Sequence, residues 1–221
     1  SAPRAREVLA QTTMPLTWVQ GGEKEEGLGG IHLRAVTGAE VRPLRLDGVV
    51  VGSVIEGPYA VECLLGGVHC MDTSLSAPAQ ARATFERLED ALALADMDFS
   101  HVARTWLFLD DILSWYDDFN PVRTAFFTER GVFDRMVPAS TGIGGSNPHG
   151  AALVTGAYAL KSKHPAVTVQ ALPSPLQCPA LQYGSSFSRA VEVAMPDLRR
   201  VLVSGTASIA PSGETAHVGD V

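Results

Sequence analysis

The order of strand-like and helical segments predicts an α+β fold, in which helices pack on one face of a mixed sheet. Two observations support this fold class. Between residues 48 and 160, short β-branched segments alternate with two segments whose apolar residues recur at helical spacing. Between residues 183 and 208, two further strand-like segments look like a restart of the first set. This repetition favours an internal duplication with an incomplete second half, and the alternative is that the later strands extend the first sheet.

Apolar and β-branched segments predict the strands. In the first set they lie at residues 48–55, 59–65, 101–109, 137–143 and 151–160. The second set adds strands within Tyr183–Val193 and Arg199–Ser208. Residues 1–45 are rich in Gly, Arg and Glu and predict irregular structure with room for one strand. Residues 161–165 and the proline-rich residues 171–179 predict a linker and a loop.

Two segments predict helices. In the first, apolar residues recur at three- and four-residue spacing after Pro78, and Ser76 is a candidate N-cap. The second starts near Ser114 and runs to about Glu129, and Pro121 predicts a break within it. Because charged residues occupy the opposite face of the first helix, we expect that helix to pack on the sheet by one side.

Composition limits the classes of function. The chain has 221 residues, of which 46% are hydrophobic and 19% charged, so we expect a packed globular core. The net charge of -7 argues against a nucleic-acid partner, which requires a basic surface. No apolar run reaches the roughly 20 residues of a membrane span, and the N-terminus lacks the apolar core of a secretory signal. We therefore expect a soluble cytoplasmic protein that does not associate with membranes.

The last forty residues carry the candidate substrate-binding residues. These are Tyr183, Phe187, Ser188, Arg189, Ser204, Gly205 and Thr206. Arg189 is the candidate carboxylate ligand, because a guanidinium presents a two-pronged donor to a carboxylate; an exposed arginine on an edge strand is the alternative. Residues 204–206 end a strand, where main-chain N–H groups and hydroxyls can hold an oxyanion.

Other candidate sites have weaker support. Cys63, His69 and Cys70 are residue types that bind metals. The sequence has no second group of cysteines and histidines at the spacing of metal ligands, so we predict no metal site. We also expect no cofactor. The three cysteines, of which Cys178 is the last, are too few and too scattered for a disulfide framework, and we expect buried thiols. The glycine-rich run from Thr141 lacks the lysine of a phosphate-binding loop and predicts a turn.

Several motifs together resemble the YjgF/RidA superfamily of imine deaminases. In the first set the resemblance lies in Phe99–Asp111, Phe119–Phe127 and Pro138-Ala-Ser-Thr141. In the second set it lies in Phe187-Ser-Arg-Ala-Val191 and Val203-Ser-Gly-Thr206. The resemblance implies two tandem halves of that fold, each with helices on one face of its sheet.

The chorismatases, which look like two YjgF-type halves in one chain, are the closer match. The motifs that carry this resemblance are long and ungapped: Pro173–Leu181, Tyr183–Arg189 and Val203–Ala210. The resemblance covers roughly residues 45–221, but only the first part of the family's second half. It implies an N-terminal extension (1–45), a first YjgF-like domain (46–163) and the start of a second, substrate-binding domain (164–221).

Two departures from the superfamily concern the first half. Pro138-Ala-Ser-Thr141 lacks the arginine with which the deaminases hold a substrate carboxylate, and Ala152–Tyr158 lacks their glutamate. The first half is therefore expected to be a scaffold. The chorismatase resemblance implies a catalytic glutamate on the last strands of the second half, so we expect the acid to lie beyond Val221 and name no catalytic residue within the chain.

The function that this resemblance implies is release of pyruvate from chorismate, which leaves a dihydroxycyclohexadienoate or a hydroxybenzoate. The reaction begins with protonation of the enolpyruvyl ether. Two alternatives stay open: an imine deaminase of the YjgF/RidA type, and a non-catalytic protein that binds a small metabolite. By the same resemblance we expect a homotrimer or pseudo-trimer.

Overall fold

The computed structural model describes residues 13–20, 29–206, 208–214 and 216. The predictions for residues 1–12 and 21–28, and the Ala207 position of the last motif, lie outside the described residues. The described strands are β1 (Glu40–Leu46), β2 (Val49–Glu56), β3 (Ala60–His69), β4 (Val102–Leu109), β5 (Ala139–Gly144), β6 (Leu153–Ser162), β7 (Thr168–Leu172), β8 (Ala190–Ala194) and β9 (Arg199–Val203). The described α-helices are α1 (Ala77–Ala93) and α2 (Ile112–Glu129), and short 3-10 turns cover Phe99–His101 and Ala180–Tyr183.

Six strands form one mixed sheet in the order β1-β2-β3-β6-β4-β5. All neighbours in it are antiparallel except β4 and β5, which are parallel. A parallel pair needs a crossover connection, and α2 supplies it between these two strands. The predicted α+β class with a mixed sheet is therefore confirmed. Neither α1 nor α2 combines the length and apolar character that crossing a membrane requires.

Both helices pack on one face of this sheet. The buried side of α1 carries Phe85, Leu88 and Leu92, and that of α2 carries Phe119 and Phe126, all in the same core. Burial of each large apolar side chain contributes about 1.5–3 kcal/mol to folding. The helical spacing of apolar residues in the sequence predicts this buried side of the helices.

The other face of the large sheet is covered by a second sheet, β7-β8-β9, which is antiparallel throughout. Val191 and Val193 of β8 pack there against Tyr158 and Leu160 of β6. Because β6 is covered on both faces, its residues 153–160 are all buried, and its sequence is a continuous apolar run. The second sheet repeats the antiparallel order of β1, β2 and β3, as a duplication predicts.

Three local predictions are wrong. The loop predicted at residues 171–179 begins within the strand β7, a strand that the sequence analysis did not predict and that has prolines on both sides. Pro121 does not break α2, because buried aromatic residues before and after it hold the helix on the sheet. Tyr183 lies in a 3-10 turn rather than on a strand, and β8 begins at Ala190. The division of the chain at residues 45 and 163 stays a prediction.

A half-buried ion-pair cluster joins the two sheets. The Glu62 carboxylate of β3 accepts hydrogen bonds from the Tyr158 hydroxyl (2.6 Å), from Arg34 (2.8 Å) and from Arg200 of β9 (3.0 Å). Burial acts to raise the pKa of Glu62, but these three hydrogen bonds outweigh it and hold the pKa below its ordinary value. The carboxylate is therefore ionised over the physiological range.

Replacing Glu62 with glutamine is expected to lower the free energy of unfolding by about 1 kcal/mol at neutral pH. A carboxyl group whose pKa is lowered in the folded protein stabilises the fold above its unfolded pKa. This stabilisation is lost as the pH falls through the folded pKa, so the variant should lose less stability than the parent on acidification below about pH 5. Urea unfolding at a series of pH values measures this difference. The exposed Glu40→Gln is the control, and equal pH slopes for Glu62→Gln and the parent would contradict the prediction.

Candidate functional site

The predicted binding residues meet where the end of β9 lies beside the segment that leads into β8. Ser204 holds this arrangement together, because its N–H donates to the Arg189 carbonyl (2.9 Å) and its hydroxyl donates to the Ser188 carbonyl (2.5 Å). The same hydroxyl accepts from the N–H of Ser140 on β5 (2.8 Å). Ser188 also donates its hydroxyl to the Val137 carbonyl (2.6 Å). Both serines therefore position the backbone of the site.

Arg189 is the central side chain of the site and is only 7% exposed. Its Nε and Nη2 donate to the carbonyl of Cys178 (3.0 and 2.8 Å), and its Nη1 donates to the Thr206 hydroxyl (2.6 Å). The guanidinium carbon lies 5.3 Å from the ring centre of Tyr183 and 5.6 Å from that of Phe187. The alternative of an exposed arginine on an edge strand is thus excluded.

The surroundings of Arg189 leave its charge unneutralised. Within the residues that the structure describes, it makes no ion pair with a carboxylate. A buried charge without a partner costs several kcal/mol. A guanidinium has five N–H donors, and three of them are used in the contacts above, so one on Nη1 and one on Nη2 remain for the neighbouring Tyr183 hydroxyl or for a ligand. Two neighbouring donors of this kind are what a bound carboxylate accepts from.

Tyr183 lies beside this guanidinium at the end of a 3-10 turn. Burial raises the pKa of its hydroxyl, although the positive charge of Arg189 and a hydrogen bond with it act in the opposite direction. The hydroxyl is therefore protonated at neutral pH and can donate to an anion. Gly184, with φ of +82°, follows the turn in the left-handed region that favours glycine, and this fixes the direction in which the chain leaves Tyr183.

Gly205 lies against the large sheet. Its N–H donates to the Thr141 hydroxyl (2.9 Å), and a Cβ at this position would lie 2.7 Å from Cγ2 of Thr141. The N–H groups of Ser204 and Gly205 are therefore both taken by protein acceptors in this structure and are not free to hold an oxyanion. Of the three residues at the end of β9, Thr206 contacts the Arg189 guanidinium with its side chain, whereas Ser204 contacts the Arg189 backbone.

Arg104 of β4 is a site neighbour that the sequence analysis did not identify. It is 8% exposed, and it donates to the Val203 carbonyl (2.6 Å) and to the Thr141 hydroxyl (2.5 Å). The first sheet therefore contributes contacts to the site. A signal was present in the sequence, since an arginine inside the otherwise apolar run of β4 is unusual for a strand covered on both faces.

Cysteines and histidines form no metal site in the part of the chain that the structure describes. The three cysteines are free and buried, which confirms the prediction of buried thiols. Burial raises the pKa of the Cys63 thiol to about 12, so this residue is not a thiolate at neutral pH. His69 stacks on His149 with ring centres 4.1 Å apart.

Solved structures share this fold, whereas no protein-family model and no curated protein matches the sequence. A chorismatase structure is similar over 81% of this chain, with 23% sequence identity and a TM-score of 0.57. The match covers 54% of the chorismatase chain, so this chain spans about half the length of that relative. The YjgF gene product from E. coli matches 54% of this chain and 92% of its own, with 19% identity and a TM-score of 0.44. At 23% identity the chorismatase structure establishes the fold alone, and this chain shares that fold.

Proposed function

We propose that this chain is the part of a chorismatase-type enzyme that holds the substrate chorismate. The products of the whole protein would be pyruvate and a dihydroxycyclohexadienoate or a hydroxybenzoate. Two observations support the proposal. The chain shares its fold with chorismatase over 81% of its residues, and the motifs that resemble that family fold around one buried arginine that makes no ion pair with a described residue.

The main support for the proposal is the position of Arg189. Chorismate has two carboxylates, an enolpyruvyl ether and a ring hydroxyl, and one carboxylate could accept hydrogen bonds from Nη1 and Nη2 of Arg189. The protonated hydroxyl of Tyr183 can donate to the same carboxylate or to the ring hydroxyl. The ring of Phe187, which is 9% exposed, offers an apolar contact next to these donors.

Both routes need one proton donor, and the hydrolytic route also consumes one water molecule. An acid protonates the methylene carbon of the enolpyruvyl group, and positive charge develops on the carbon that bears the ether oxygen. In the hydrolytic route, water adds to this carbon, and the resulting hemiketal breaks its bond to the ring oxygen to release pyruvate. The route to a hydroxybenzoate consumes no water: the bond between the ring carbon and the ether oxygen breaks to release pyruvate, and the ring loses one proton as it becomes aromatic. None of the seven site residues is a carboxylic acid, so the proposal assigns protonation to the glutamate that the resemblance implies.

The proposal extends to assembly and location. Val201 and Val203 of the edge strand β9 are 52% and 66% exposed, and an uncovered apolar edge favours association with another chain. A homotrimer or pseudo-trimer, as the superfamily resemblance implies, would cover this edge. Free buried thiols are typical of a reducing compartment, which supports a cytoplasmic location.

Release of pyruvate from chorismate by the full product of the gene tests the proposal. We expect pyruvate and one ring product in equal amounts, measured by a coupled lactate dehydrogenase assay and by liquid chromatography. The proposal fails if this protein neither releases pyruvate nor binds chorismate. Hydrolysis of a 2-aminoacrylate-type imine in place of chorismate would favour the deaminase alternative, and binding without turnover of either compound would favour the metabolite-binding protein.

A further inference from the structure

A second candidate site lies between α2 and the segment that follows Tyr183. The cleft there has a volume of about 610 Å³, and Asp117, Asn120 and Thr124 of α2 line one side of it. Tyr183 and Ser185 line the other side. A hydrogen bond of 2.8 Å between the hydroxyls of Thr124 and Ser186 ties the two sides together. The cleft is therefore bounded by two segments that are fixed to each other.

A buried arginine lies next to this cleft. Arg123 is 3% exposed and follows Trp115 and Phe119 on the buried stripe of α2. Its Nη2 donates to the side-chain oxygen of Asn120 (2.8 Å), which lines the cleft, and its guanidinium carbon lies 5.3 Å from the ring centre of Phe119. Its Nε is buried and has no hydrogen-bond partner.

The charge of Arg123 is not neutralised by any ion pair within the described ranges. Burial lowers its pKa to about 10, while the nearby hydroxyls of Tyr116 and Tyr183 act in the opposite direction. The guanidinium is thus still charged at neutral pH. An uncompensated buried cation is costly, and an anion in the adjoining cleft would offset that cost.

Asp117, at the rim of the same cleft, provides hydrogen-bond acceptors for a donor group of a ligand. The side chain of Asp117 is exposed there and makes no ion pair with another described residue. Pro121, inside α2, has no N–H to donate to the carbonyl of Asp117 four residues earlier, so this carbonyl has lost its helical donor. One residue therefore presents both a carboxylate and a main-chain acceptor, and a charged donor such as ammonium suits this pair better than a neutral hydroxyl.

We propose that this cleft binds a small zwitterion of the α-amino acid class. Its carboxylate lies between Asn120 and Tyr183, next to the guanidinium of Arg123, and its ammonium group contacts Asp117. The cleft shares Tyr183 with the proposed chorismate site, but the proposal does not rest on chorismatase activity. It rests on a buried cation that has no ion-pair partner among the described residues and lies behind Asn120, and on an exposed acidic residue that lines the same cleft one helical turn away.

Nuclear magnetic resonance of the uniformly ¹⁵N-labelled chain tests this assignment, with glycine, acetate and methylammonium as probes. We expect glycine to shift the amide signals of Thr124, Gly184 and Ser185 in a saturable way. Acetate and methylammonium each supply only one of the two charges, so their dissociation constants should be at least about tenfold weaker. Equal affinity for glycine and acetate, or no shift of these signals with glycine, would overturn the proposal.

Three variants test whether Arg123 contributes to glycine binding or only to the stability of the fold. Arg123→Met, which keeps a side chain of similar length, should abolish the glycine-induced shifts while its other amide signals stay those of the folded protein. Asp117→Asn should weaken glycine binding about tenfold and leave acetate binding unchanged. Arg135→Met, at an exposed arginine outside the cleft, is the control and should bind glycine as the parent does. Retention of glycine binding by a folded Arg123→Met protein would disprove the role of the buried cation.

Discussion

Replacing Arg189 with methionine is expected to weaken chorismate binding by roughly 100-fold. Two charge-assisted hydrogen bonds to a substrate carboxylate are lost, at about 1.5 kcal/mol or more each, and every 1.4 kcal/mol is a factor of about ten in affinity. Isothermal titration of the 221-residue chain with chorismate measures the change. The fold should persist, because Met is close to Arg in length and the guanidinium makes no ion pair with a described carboxylate.

Two further variants decide whether the loss comes from the two-pronged donor or from charge alone. Arg189→Lys keeps the charge but presents no planar fork, so we expect it to recover only part of the affinity. Arg199→Met removes a charge from an exposed side chain of β9 and should leave binding within about twofold. If Arg199→Met weakens binding as much as Arg189→Met, the effect is general electrostatics and Arg189 is not the ligand.

Replacing Phe85 with alanine is expected to lower the free energy of unfolding by about 3–5 kcal/mol. Phe85 is fully buried, and its ring packs on those of Phe119, Phe126 and Phe127 at centre distances of 5.4–6.2 Å. The substitution removes these contacts and leaves a cavity between α1, α2 and the sheet. A loss of this size is a large part of the total stability of an ordinary domain.

Urea unfolding followed by circular dichroism measures this loss. Leu113→Ala is the matched control, because Leu113 is 94% exposed and its truncation should change stability by no more than about 0.5 kcal/mol. A change below 1 kcal/mol for Phe85→Ala would show that the helices do not share one cooperative core with the sheet.

The regular elements of the fold could be predicted from the sequence because each has a strong local pattern. The apolar spacing of α1 and the continuous apolar run of β6 are properties of neighbouring residues, and both predictions are confirmed. The strand β7 could not be predicted in this way. It has five residues, and most of what defines it is the pairing with β8, which lies about twenty residues later in the chain.

The site was predictable only in part for the same reason. The motif around Arg189 identifies this residue as a candidate ligand. Its hydrogen-bond acceptor is the main-chain carbonyl of Cys178, and a contact with a main-chain atom cannot be recognised from residue types. Arg104 is the one charge in the strand β4, and Arg123 lies among aromatic residues on the buried stripe of α2. The pattern shows that such residues are unusual, whereas only the three-dimensional arrangement shows which cleft or strand end they adjoin.

The contacts that hold the end of β9 on the large sheet also determine when the site can form. The bond from Ser140 to Ser204 spans 64 residues, and that from Arg104 to Val203 spans 99. Contacts between such distant residues form slowly, because closing the intervening loop costs entropy before the contact is gained. During synthesis, β9 leaves the ribosome only after the whole large sheet is available. We therefore expect the binding site to mature last, on a template that is already folded.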